Sequence, residues 1–146
     1  MTLDELAELC REAARDLAGR EARPLPAAVV LPGPKATEIV TLPGFPAGDD
    51  ARAAALAGLA EQRMRPRGVP CYGFVAEAEL SGGGDVLLVA YGARGQGARV
   101  TAAPFAHGAL GSFLDDEPVA HGALEFLAPL QAAADAAGPP DVTAPP

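Results

Sequence analysis

Residues 69–105 read VPCYGFVAEAELSGGGDVLLVAYGARGQGARVTAAPF, and the fold is decided by how this stretch divides. Val69 to Leu80 alternates. Tyr72, Phe74, Ala76, Ala78 and Leu80 share one face, and Cys71, Gly73, Val75, Glu77 and Glu79 share the other. That is the period of a strand. Ser81-Gly82-Gly83-Gly84-Asp85 is a hairpin loop. Val86 to Ala93 is an almost unbroken apolar run, which marks a central strand buried on both faces. Leu88 lies in its middle, so Leu88→Ala is expected to cost about 2–5 kcal/mol. Arg94-Gly95-Gln96-Gly97 turns the chain again, and Ala98 to Phe105 closes a three-stranded meander.

Upstream, Thr2 followed by Glu5 is a capping box. Leu3, Leu6, Cys10, Ala13 and Leu17 then form one apolar helical stripe, with Gly19 as the stop. Ala27–Leu31 and Thr37–Leu42 read as two strands of a hairpin around Pro32-Gly33-Pro34-Lys35. Pro43-Gly44-Phe45-Pro46 ends the second strand, because proline cannot donate to a ladder. Asp49 or Asp50 caps a second helix striped by Leu56, Leu59, Ala60 and Met64, which Pro66 and Gly68 terminate. Residues 106–118 lack a pattern and read as a loop. A last helix is expected from Glu117-Pro118 to about Ala137, kinked at Pro129. Residues 138–146 are expected to be a disordered, dispensable Pro-rich tail.

The expected order is α-β-β-α-β-β-β-α. This is a single α+β domain over residues 1–137, with a five-stranded, mainly antiparallel sheet and helices on one face. Roadblock-type and longin-type domains share the element order. Tyr72-Gly73-Phe74-Val75-Ala76-Glu77-Ala78 resembles an aromatic-x-Phe-Val-x-Glu-Ala strand in a loose set of small bacterial proteins with no assigned activity. In that set a helix ending in a Gly-Val turn precedes the strand, here Gly68-Val69, and an apolar strand follows, here Val86 to Tyr91. The likeness spans residues 49–105. The aromatic usual after Ala78 is Glu79 here, and the resemblance implies a strand order but no catalytic residue.

Composition narrows the function classes. The 146 residues carry 19 acidic and 11 basic side chains, a net charge of −8, which argues against a nucleic-acid surface. Ten of the basic residues are Arg, and Ala, Gly and Pro are abundant, as GC-rich coding produces. No apolar run reaches the roughly 20 residues of a membrane span, and the acidic start does not read as a signal peptide. Two cysteines point to a reduced, cytoplasmic chain.

Four residues are candidates for chemistry. Cys71 could act as a nucleophile if a histidine and a carboxylate, such as Glu77, activated it. Its neighbours match no thiol-enzyme signature, so a small buried hydrophobe is the preferred reading, as it is for Cys10 on the helix stripe. His107 and His121 flank Asp115, Asp116 and Glu117, a set of metal-ligand types. Their 14-residue spacing lacks the i, i+4 geometry of helical sites, so surface histidines are preferred. Glu77 and Glu79 stand about 7 Å apart on one strand face, and are read as a polar face opposite Arg94 and Arg99 rather than a glycosidase pair.

The glycine clusters open no helix, which excludes a P-loop or dinucleotide fingerprint. Ala106-His107-Gly108-Ala109-Leu110 recurs as Ala120-His121-Gly122-Ala123-Leu124, too short a period for a solenoid. No metal or cofactor is expected. The favoured expectation is a non-enzymatic module that contacts a protein partner or itself. A hydrolase or thiol enzyme built on Cys71, Glu77 and a histidine is the alternative, and a small ligand between helix and sheet is left open.

Overall fold

The capping box closes in both directions. Thr2 Oγ1 accepts from Glu5 N–H at 3.1 Å, and Glu5 Oε1 accepts from Thr2 N–H at 2.7 Å. This starts α1 (Leu3–Arg20), which buries Leu6, Ala7, Cys10, Ala13, Ala14 and Leu17. The helix runs past Gly19 to Arg20, whose guanidinium pairs with Asp16 one turn back. The protein is described here by a computed structural model over residues 1–80, 82–106 and 108–137. The expected tail from Gly138, and His107, lie outside these residues.

Strands β1 (Ala27–Leu31) and β2 (Glu38–Leu42) form the expected antiparallel hairpin, with Val29 opposite Val40. Helix α2 (Asp49–Leu59) follows. Gly48, not Asp49 or Asp50, occupies its cap. The two carboxylates sit in the first turn instead, where the positive end of the helix dipole stabilises them. A π-turn (Ala60–Met64) and a 3-10 turn (Arg65–Arg67) end it, because Pro66 has no N–H to continue the ladder. Gly68 supplies the left-handed residue that closes the helix, at φ 60°.

The meander is β3 (Cys71–Glu79), β4 (Asp85–Ala93) and β5 (Gly97–Ala106). Strand β3 also pairs with β1, so every ladder is antiparallel and the α+β class holds. Two short strands, β6 (Ala109–Leu110) and β7 (Glu117–Pro118), add to β5. The order is β2-β1-β3-β4-β5-β6, with β7 also on β5. The expected count of five therefore becomes seven among the described residues. The extra strands arose where no periodicity could show them, since two residues make no pattern. The register of β5 and a buried threonine hold them in place. Thr101 Oγ1 donates to Leu114 O at 2.6 Å, and Leu114 N–H donates to Ala102 O at 2.8 Å.

The last helix is shorter than expected. Glu117-Pro118 is strand, and a 3-10 turn (Glu125–Leu127) leads into α3 (Ala128–Ala136). Pro129 does not kink this helix. It lies in the first turn, where its missing N–H costs nothing.

The helices do not lie on one face. Helix α1 covers Ala28, Val30, Val75, Leu87, Val89 and Tyr91. Helices α2 and α3, with the π-turn that follows α2, cover the opposite side, packing Leu56, Met64 and Leu130 against Val29, Leu31, Tyr72 and Phe74. Strands β1, β3 and β4 are apolar on both faces, so both must be shielded from water. Within β4 the burial is uneven. Leu87 and Val89 are fully buried beneath α1, whereas Leu88 is only half-buried at the margin of the α2–α3 layer. No helix among the described residues is long and apolar enough to cross a membrane.

Candidate functional site

The two ends of β3 hold the candidate nucleophile and carboxylate apart. Cys71 and Glu77 occupy the same face, six residues from one another, which on a strand is about 20 Å. Cys71 lies at the start of β3, buried with the α1 cluster. Burial raises its thiol pKa, so the thiolate is disfavoured. Cys10 is fully buried, and burial, with the Cys71 charge second, pushes its thiol up to about 12.

Glu77 serves the backbone. Its Oε1 accepts from Arg23 Nε at 3.0 Å and Nη2 at 2.7 Å, and its Oε2 accepts from Leu25 N–H. Arg23 also reaches Asp85 at 2.9 Å and lies over the Phe105 ring, 3.9 Å from its centre. Arg94 and Arg99, expected opposite this carboxylate, do not meet it. Its partner is Arg23 in the α1–β1 linker, because the linker crosses the end of the sheet where Glu77 emerges. Arg99 instead donates to Asp116 O at 3.2 Å, and Gly95 next to Arg94 is held by Asp135. Glu79 faces Asp85 in the β3–β4 register.

His121 sits in an exposed turn after β7. Among the described residues no group of three or more His, Cys, Asp or Glu side chains is placed to hold a metal ion. The acidic segment between the histidines is used structurally. Arg11 Nη2 and Tyr91 Oη each donate to one carboxylate oxygen of Asp116. Burial, with the Asp116 hydrogen bond second, pushes the Tyr91 hydroxyl up to about 12.

The two sides of the sheet end differently, and this asymmetry marks the candidate surface. Strand β5 is overlaid along its outer side by the 109–119 return. Besides the Leu114 clamp, Val119 N–H donates to Ala98 O at 3.0 Å and Gly111 N–H to Pro104 O at 2.8 Å. Strand β2 has no such cover. Among the described residues it pairs with β1 alone, so alternate N–H and C=O groups face outward. Its side chains are half-buried apart from exposed Thr41. The end of the strand is fixed by Glu38, which binds Arg67 Nη2 at 2.7 Å and Arg63. The Arg67 hydrogen bond lowers the Glu38 pKa. No protein-family model matches this chain, and no curated protein and no solved structure is significantly similar to it. The hairpin pattern made β2 legible in the sequence, but its place at the sheet edge follows only from β1 pairing with β3. The Glu38 clamp was not legible, since its arginines lie 25 and 29 residues away.

Proposed function

We propose that this chain is a non-enzymatic interaction module that self-associates by pairing β2 with β2 of a second copy. The open β2 edge, opposite a β5 edge that the chain covers itself, supports this reading most. In antiparallel self-pairing centred on Val40, Glu38 falls opposite Leu42 and Ile39 opposite Thr41. No like charges meet, and β-branched residues occupy the middle, where cross-strand packing is favourable. The contact is isologous, so it closes as a two-fold dimer and continues the sheet through both copies. A strand of five residues makes a small interface, which belongs to the weak, concentration-dependent class. The module works in the reducing cytoplasm, with Cys10 and Cys71 as thiols, and its acidic surface takes no nucleic acid.

Sedimentation across a concentration series tests this. The expected result is a rise in mass from 14.7 kDa toward twice that value. Ile39→Lys with Thr41→Lys creates two opposed lysine pairs and should hold the protein monomeric with its thermal unfolding intact. Should the double variant unfold, Thr41→Lys alone, at an exposed position, sets a charged side chain against Ile39 of the other copy and should weaken the association with the fold intact. A wild-type chain still monomeric at about 1 mM, where a −4 kcal/mol complex half-forms, rules the dimer out.

A further inference from the structure

Arg52 stands apart from most arginines of this chain. Seven of the ten meet a carboxylate, but among the described residues Arg52 forms no salt bridge. It rises from the first turn of α2 into an aromatic setting. Its Nε donates to Pro46 O at 2.7 Å, and its guanidinium carbon lies 5.2 Å from the Phe126 ring centre and 5.7 Å from that of Phe45. Phe45, Phe74 and Phe126 form a mutual cluster with centres 5.4–6.3 Å apart. The head of Arg52 is thus held in place by its Nε and two rings, and its terminal N–H groups meet no carboxylate among the described residues.

Two cavities meet at this residue. One, of about 90 Å³, is walled by the phenylalanines with Ala76, Leu88 and Leu124. The other, of about 490 Å³, extends along Pro24, Pro26, Leu42 and Pro43. Phe45, Arg52, Ala76 and Glu77 line both, so the cavities adjoin. Glu77 is already engaged by Arg23 and Leu25, which leaves Arg52 as the unneutralised charge of the cleft.

A second observation comes from the backbone. Leu124, in the wall of the smaller cavity, has φ 52°, and it is the one non-glycine residue with positive φ among those described. A leucine is strained in that region; such strain persists only where the surrounding structure holds it, and it clusters at ligand-binding and active sites. The cost is borne at a side chain that closes an apolar cavity.

From this geometry we infer that the cleft binds a small monocarboxylate with an apolar body. The carboxylate takes a forked pair of hydrogen bonds from the Arg52 terminal nitrogens, and the hydrocarbon lies against Phe45, Phe126, Leu88 and Leu124. An anion fits because, among the described residues that line the cleft, the charge without an opposite partner is a cation, and guanidinium donors match a carboxylate in plane. An apolar body fits because the remaining walls are aromatic and aliphatic.

Calorimetric titration with octanoate tests this, with octan-1-ol as the uncharged control of equal length. Octanoate should bind at least tenfold more tightly than octan-1-ol, and Arg52→Met should abolish that preference while sedimentation behaviour stays unchanged. Leu124→Gly removes both the side chain and its strain, so it should weaken octanoate binding while thermal stability is kept or raised. Equal binding of acid and alcohol, a preference that survives in a folded Arg52→Met, or no octanoate binding at 10 mM would each overturn the assignment. Ile39 and Thr41, which the dimer test varies, line neither cavity, so failure here leaves the dimer standing, and the reverse also holds.

Discussion

Gly73 in β3 and Cys10 in α1 are a matched pair. A Cβ at Gly73 would collide with the Cys10 sulfur and would lie 3.2 Å from Val30 Cβ. The glycine lets α1 settle directly on the middle of the sheet, and the small thiol fills the space that remains. Gly73→Ala should therefore destabilise the fold by about 1–3 kcal/mol through overpacking. Cys10→Ala in the same chain should recover part of that loss, read as a positive coupling in a double-mutant cycle by urea unfolding. Strict additivity would mean that the two residues do not share the contact.

Burial disfavours both thiolates, so neither cysteine should behave as an activated nucleophile. Iodoacetamide at neutral pH should label the native protein slowly and the urea-unfolded protein fast at both positions. Cys71→Ala should leave the protein folded. Rapid selective labelling of native Cys71 would reinstate it as a reactive group.

Alkaline pH should destabilise the fold. Cys10 rises from 9.0 to about 12, and Tyr91 from 10.0 to about 12. For each group the folded state holds its proton more tightly than the unfolded chain, so the stabilisation is complete below the unfolded pKa. As pH climbs from about 9 toward 12, the unfolded state loses protons first and the stability of folding falls. The slope should reach about 1.4 kcal/mol per pH unit for each group. Urea midpoints at pH 7, 9 and 10.5 should decline in that order, and a flat series would contradict the burial assigned to these groups.

Glu77 should prove to be a structural clamp. Glu77→Ala orphans the Leu25 N–H and the Arg23 fork, and should cost about 1–3 kcal/mol. Glu77→Gln keeps an acceptor for Leu25 and should cost less. Hydrogen exchange at Leu25 should accelerate in the alanine variant far more than in the glutamine one. Unchanged exchange would show that the linker is held by other contacts.

Within β4 the sensitive position is Leu87, not Leu88. Leu87 is fully buried under α1, so Leu87→Ala should cost about 2–5 kcal/mol. Leu88 is half-buried at the rim of the Arg52 cleft, so Leu88→Ala should cost less, under about 2 kcal/mol. Thermal unfolding of the two variants ranks them directly. A reversed order would move α1 off this face.

Local pattern alone determined much of this molecule. Thr2 with Glu5 specified the start of α1, Pro66 with Gly68 the end of α2, and the alternation from Cys71 to Glu79 the faces of β3. These signals act over a few residues, through hydrogen bonds and periods that the chain cannot avoid. The apolar run Val86–Ala93 reads as buried on both faces, yet the expected layering put the helices on one face, because a helix's own pattern does not say on which side of the sheet it docks. Only the tertiary structure decided the rest. Pairing β7 on β5, clamping Glu77 with Arg23, and seating Arg52 beside Phe126 all join groups far apart in the chain. The cost of burying their polar atoms unpaired selects such contacts, and that cost exists only once the core has formed. The strained φ of Leu124 is of the same kind, since no leucine adopts it until its surroundings hold it there.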